Sequence, residues 1–127
     1  MQTVALIMRR RAVAQTLMQA LQEKSGFQVC YEPDYAGADV AIRSRGAGVA
    51  LIEVAESGEF DIVYCLGLCA WLRVETPACK LILMCSEQDK ACIGQVVAAK
   101  KDGRIDEFVF YDTSEEYLAT KLISMYF

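Results

Sequence analysis

Apolar residues along this chain alternate between two rhythms. Short continuous runs at Thr3 to Met8, Phe27 to Tyr31, Gly48 to Val54, Lys80 to Cys85 and Phe108 to Tyr111 are too short for helices and read as strands buried on both faces. Between them the apolar positions recur at helical spacing. Val13, Leu17, Ala20 and Leu21 mark a helix over Arg9 to Lys24, stopped by Gly26. Pro33 closes the second strand, and Asp34 caps a helix through Ala38, Val40, Ala41 and Ile42 to about Arg45, ended by Gly46. Ile62, Cys65, Leu66, Cys69 and Leu72 form the stripe of a helix from Glu59 to about Glu75, which Pro77 stops. Asp89 to Lys101 is the fourth helix, with lysines at the end its dipole favours and Gly103 beyond. Thr113 and Glu116 form a capping box opening a last helix, whose inner face is Tyr117, Leu118, the stem of Lys121, Leu122 and Met125.

Five strand–helix units with short connections predict a parallel sheet covered on both faces, in a single domain over residues 1–127 without linker or repeat. A competing register makes Glu59 to Tyr64 the third strand, after a helix at Ala47 to Glu56. It leaves only Leu66 to Thr76 for a crossover, a tight fit for the dozen or so residues one needs. In the favoured register the third strand runs Gly48 to Glu53 and ends on a carboxylate. Ligands bind at that edge of an open α/β sheet, so Glu53 is the first candidate for a site.

The 127 residues are 54% apolar and 24% charged, which suffices for a core without disulfides or metals. A net charge of −4 excludes the electrostatic footprint of a nucleic-acid binder. No apolar run reaches the ~18 residues of a membrane span, and Met1 leads straight into a strand, so the expected compartment is the cytoplasm. The six cysteines lie in apolar segments and read as reduced, buried thiols. Cys65 and Cys69 share a helix face and could begin a soft-metal site, but there is no CxxC and no histidine, so no metal and no cofactor are expected. Lack of histidine also removes the commonest general base.

Five short βα units with a carboxylate ending the third strand resemble the receiver domain of two-component response regulators, over essentially the whole chain. The resemblance implies a flavodoxin-like three-layer sandwich, a five-stranded parallel sheet of order 2-1-3-4-5 and five helices. It further implies a phosphoacceptor aspartate ending strand three, an acidic pair for Mg²⁺ after strand one, a Ser or Thr ending strand four and a lysine ending strand five. Those positions hold Glu53, then Met8 and Arg9, then Cys85 with Ser86 adjacent, then Tyr111. None keeps the family's residue, which makes this a degenerate, pseudo-receiver pattern.

Mg²⁺ needs hard oxygen ligands, and an arginine stands where they should be. Arg9 and Glu53 are expected to pair, doing electrostatically what the metal does in a working receiver. Without the metal nothing neutralises transferring phosphoryl oxygens. Glu53 can be read as a permanent mimic of a phosphorylated aspartate or as a plain strand-end carboxylate. Tyr111 is a switch position or simple packing, and Cys85 a small buried filler. Arg9, Arg10 and Arg11 place cations at a helix start, which calls for compensation. The expected function is a non-enzymatic, phosphorylation-independent interaction or dimerisation module. Its partner or second copy would bind the helix 4, strand 5, helix 5 face over Asp89 to Phe127, with no direct contact to nucleic acid or membrane. A chain stopping at its last helix also suits the N-terminal part of a transcription regulator, with a DNA-binding domain beyond Phe127. The alternative is a small-molecule binding domain in which Arg9, Glu53, Ser86 and Tyr111 converge at the C-terminal edge of the sheet.

Overall fold

The structure is a computed structural model that describes residues 2–126, so Met1 and Phe127 lie outside it. The elements in chain order are β1 (Thr3–Ile7), α1 (Arg11–Ser25), β2 (Gln28–Glu32), a 3-10 turn at Tyr35–Gly37, α2 (Ala38–Arg45), β3 (Val49–Glu53), α3 (Ile62–Glu75), β4 (Lys80–Cys85), α4 (Lys90–Lys101), β5 (Glu107–Phe110) and α5 (Glu115–Tyr126). The strands form one parallel sheet of order β2-β1-β3-β4-β5, the flavodoxin-like arrangement expected.

Successive side chains on a strand point to opposite faces, and here both faces are covered. Ala5, Ile7, Ala50, Ile52, Leu81 and Leu83 pack with Ile42, Cys65, Cys69, Leu72, Cys92 and Val96 of α2, α3 and α4. Val4, Leu6, Val49, Leu51, Ile82 and Met84 pack with Ala14, Leu17, Leu21, Leu118 and Leu122 of α1 and α5. The central strand β3 is therefore fully buried from Val49 to Ile52, which is why it reads as an unbroken apolar run. Gly26 and Gly46 stop α1 and α2 in the left-handed conformation, as their positions predict.

The favoured register of the third strand holds, and four local expectations are corrected. The competing strand at Glu59 to Tyr64 does not form: Asp61 caps α3 by accepting the Tyr64 backbone N–H at 3.1 Å, so the helix begins at Ile62 rather than Glu59. The last helix is capped by Ser114, which accepts the Tyr117 N–H at 3.1 Å, while the Thr113 hydroxyl is taken by the Phe110 N–H at 3.2 Å. That shift of one residue turns Tyr117 outward and puts Ala119 in the core beside Leu118 and Leu122. Finally, α1 starts at Arg11, leaving Arg9 and Arg10 in the loop after β1.

Two contacts tie the chain's last elements to the sheet. Gly48, just before β3, lies beneath the ring of Tyr126, whose hydroxyl donates to the Thr3 carbonyl. A methyl group on Gly48 would sit 2.5 Å from the Tyr126 Cε1 atom. Gly48→Ala is expected to lower unfolding free energy by roughly 1–2 kcal/mol in urea titrations, and to lose most of that cost in a Tyr126→Ser background. On the β5 edge, Glu107 lies between Lys100 at 2.9 Å and Lys121 at 3.1 Å. Burial works to raise its carboxyl pKa, but Lys100, the Phe108 backbone N–H and Lys121 together outweigh it and hold the group below its usual range. A carboxyl depressed by folding stabilises above its unfolded pKa of about 4.3 and loses that contribution as pH falls through the lowered value. Glu107→Gln should therefore be less stable than the native chain at pH 7, with the difference vanishing in strong acid.

Candidate functional site

Glu53 ends β3 with its side chain turned back over the sheet edge and is 4% exposed. Its Oε1 accepts the backbone N–H groups of Arg9 at 2.9 Å and Arg10 at 3.2 Å, and its Oε2 pairs with Arg10 Nε. The carboxylate thus supplies, from another element, the negative charge that the start of α1 lacks in its own first turn. This is the compensation the arginine run requires.

The expected ion pair is present with a different arginine. Arg10 is extended, with φ −83° and ψ 99°, and neighbouring side chains of an extended segment point to opposite sides. Only one of Arg9 and Arg10 can reach Glu53. Arg10 does so and lies 4.5 Å over the Tyr111 ring, whereas Arg9 turns its guanidinium 4.9 Å over the ring of Phe60. Arg11 takes a third aromatic ring, that of Tyr31, at 5.7 Å.

The main chain following Glu53 is pinned by two phenols. Buried Tyr35 donates its hydroxyl to the Glu53 carbonyl, and Tyr111 donates to the Val54 carbonyl. Burial raises the pKa of both, Tyr111 up to about 12, so both stay protonated donors at neutral pH. A cavity of about 250 Å³ opens between them, walled by Arg9, Arg10, Tyr35, Glu53, Glu56 and Tyr111.

Of the residues singled out in the sequence, Glu53, Arg9 and Tyr111 meet at this cavity. Met8 does not, being buried against α1 and α5. Cys85 is also buried, on the opposite face of the sheet, where contact with the Cys92 thiol and burial push its pKa up. Ser86 is turned inward, its hydroxyl accepting the Gln88 N–H at 3.1 Å before α4. The expected convergence of Ser86 with the others therefore fails, because its hydroxyl closes a local turn. Tyr35, Glu56 and Phe60 were not foreseen; Tyr35 follows a Pro-Asp turn signal, but nothing local says that its hydroxyl reaches β3.

Three donors leave Glu53 little capacity for another cation, and Glu56 is the other carboxylate lining the cavity. Among the described residues no group of three or more His, Cys, Asp or Glu side chains is placed to hold a metal ion. Burial pushes the thiols of Cys69 and Cys79 up to about 12, leaving them poor nucleophiles. Glu53→Ala would orphan two backbone N–H groups and a cation, at a cost of about 2–4 kcal/mol. Arg10→Ala leaves Glu53 its two backbone N–H donors, so it should cost less, roughly 1–2 kcal/mol. Chemical denaturation of the two variants checks that order.

The chain matches no family model and no curated protein. Solved structures resemble it closely in shape. A LuxR-family DNA-binding response regulator from Staphylococcus aureus superposes with a TM-score of 0.79 at 13% identity, over 98% of each chain. A response regulator from Thermotoga maritima gives 0.76 at 22% identity, over 98% of this chain and 96% of that one. A structure described as an adenylate cyclase from Rhodopirellula baltica gives 0.81 at 14% identity, over 98% and 86%. At these identities the likeness concerns the fold, and the fold of this chain is that of response regulator receiver domains.

Proposed function

We propose that this chain is an atypical receiver-like signalling domain that works as a protein interaction module without phosphorylation. The observation that carries this reading is the state of Glu53, whose carboxylate already accepts Arg9 and Arg10 N–H groups and pairs with the Arg10 guanidinium. On the receiver pattern Glu53 stands at the phosphoacceptor position and Met8 and Arg9 at the acidic pair. In this reading, Arg10 and the start of α1 occupy Glu53 permanently, as Mg²⁺ and phosphate would transiently. Tyr111, at the strand-five position, then acts as a fixed strut and not as a switch, since its hydroxyl is committed to Val54.

A domain that is held in one state acts through its surfaces, with no catalytic step of its own. The face of α4, β5 and α5 is our candidate for a partner protein, and the half-buried Phe108 and Phe110 with exposed Tyr117 supply apolar anchors there. In a longer chain that partner surface would face a DNA-binding domain placed after residue 127. No described helix is long and apolar enough to cross a membrane.

A second reading, a small-molecule site, is favoured by the cavity beside Glu53. At about 250 Å³ it is smaller than the roughly 300–1,000 Å³ of ordinary ligand pockets, and Glu53, Arg10, Tyr35 and Tyr111 in its wall are already paired. Titration with Mg²⁺ and beryllofluoride separates the proposals from a working receiver. The expected result is an unchanged Tm, since a ligand at 100 times its Kd would stabilise by about 2.7 kcal/mol. Saturable stabilisation that Glu53→Gln abolishes would overturn the proposed function. Stabilisation by a nucleotide or flavin instead would favour the second reading.

A further inference from the structure

The helix α3 presents an unusual face to water. Its exposed residues are Val63, Gly67, Ala70, Trp71 and Val74, with Val63 69%, Trp71 52% and Val74 76% exposed. The charged residues near its end, Arg73 and Glu75, are half-buried and paired with Asp106 and Arg43. Beside it a groove of about 490 Å³ runs past Tyr64 and Leu68, with Ala36 and Asp39 on its other wall. A surface helix ordinarily turns its polar side outward, and a contiguous apolar patch of this kind marks an interaction site.

The pattern on this face is symmetric about its middle. Val63 and Trp71 each lie four residues from Gly67, so all three fall on one stripe of the helix. A second copy laid antiparallel, with the two-fold axis over Gly67, sets each Trp71 against Val63 of the other copy and glycine against glycine. That is the self-complementarity an isologous interface requires. A Cβ built at Gly67 meets nothing within 4 Å, so the glycine leaves a notch through which two backbones can approach.

Charge permits the same arrangement. With a net charge of −4, two copies repel over most orientations, but the α3 stripe itself carries no exposed charge. The charged groups at its C-terminal end are paired within the chain, Arg43 with Asp39 and Glu75 and Arg73 with Asp106, so this face brings the least like charge together when two copies meet. We propose that α3 docks against α3 of a second copy of this chain, antiparallel and centred on Gly67. The stripe from Val63 to Val74 is about 17 Å long. Such a patch is at the low end for a specific interface, below the ~800 Å² per partner of stable complexes, which makes the dimer concentration-dependent.

The proposal rests on the interaction-module reading and gives that module its first partner, leaving the α4, β5, α5 face free for another protein. Trp71 is the sole tryptophan, so its emission reports the interface directly. Sedimentation equilibrium should show a monomer–dimer transition accompanied by a blue shift of Trp71 emission with the same midpoint. Trp71→Glu should weaken it at least about tenfold, and Tyr117→Glu on α5 should leave it unchanged. Since all six native cysteines are buried, Gly67→Cys adds the single exposed thiol and should give a disulfide-linked dimer with oxidised glutathione. A monomer at every concentration overturns the proposal, as does a dimer broken by Tyr117→Glu and not by Trp71→Glu. A blue shift seen only with phosphatidylcholine–phosphatidylglycerol vesicles, or only with a basic peptide, also overturns it in favour of that occupant. A monomer that ignores Mg²⁺ and beryllofluoride sinks the pairing alone, whereas a dimer that binds beryllofluoride sinks the proposed function alone.

Discussion

A carboxylate taken out of water must be paired and hydrogen-bonded, or it shifts its charge or destabilises the fold. At 4% exposure Glu53 is under that constraint, and it meets it with two backbone N–H groups and one guanidinium drawn from the loop after β1. Much of the sheet's C-terminal edge follows. Of the three arginines at the start of α1, Glu53 pairs with Arg10, which lies over Tyr111 because it is anchored there, while Arg9 and Arg11 lie over Phe60 and Tyr31. Tyr111 and Tyr35 in turn fix the carbonyls of Val54 and Glu53, so the loop between β3 and α3 is tied to β5 and to the turn after β2. Four segments remote in sequence thereby become one rigid corner.

Rigidity at this corner has a functional meaning in the receiver fold, whose C-terminal sheet edge is where ligands sit. A transferred phosphoryl group is stabilised by positioning and by cations, and a site that toggles needs its charges free to regroup. In this chain Glu53 and Arg10 are engaged with each other. On the proposed reading the domain acts through its surfaces, and two of them differ in character. The face of α4, β5 and α5 carries the Lys100–Glu107–Lys121 cluster among its aromatic residues, whereas the α3 face is apolar throughout its exposed positions. An adaptor that joins a copy on one side and a different protein on the other would need surfaces of two such kinds.

The fold was legible because its signals are local and redundant. Unbroken apolar runs such as Val49 to Ile52 define buried parallel strands whatever their neighbours, and Gly26, Gly46 and Pro77 punctuate them. Helix starts were less secure, since Asp61 and Ser114 compete with nearby Glu59 and Thr113, and only the actual hydrogen bond decides. At the site, the position of Glu53 was readable from strand length, but the choice between Arg9 and Arg10 depends on the extended backbone of one loop residue. Tyr35 was invisible for a similar reason, because its contact spans 18 residues and follows from a 3-10 turn. The Trp71 face was hidden by success in the other direction: a helix apolar on all sides gives a strong helical stripe without saying which side stays wet.

The central claim is that Glu53 is already saturated by the loop it holds. Amide hydrogen exchange at Arg9 and Arg10, followed by NMR with and without Mg²⁺, tests it most directly. The account predicts two strongly protected amides whose exchange and chemical shifts do not respond to the metal. Exchange at the rate of an open loop, or amide shifts that move saturably as Mg²⁺ is added, would contradict it.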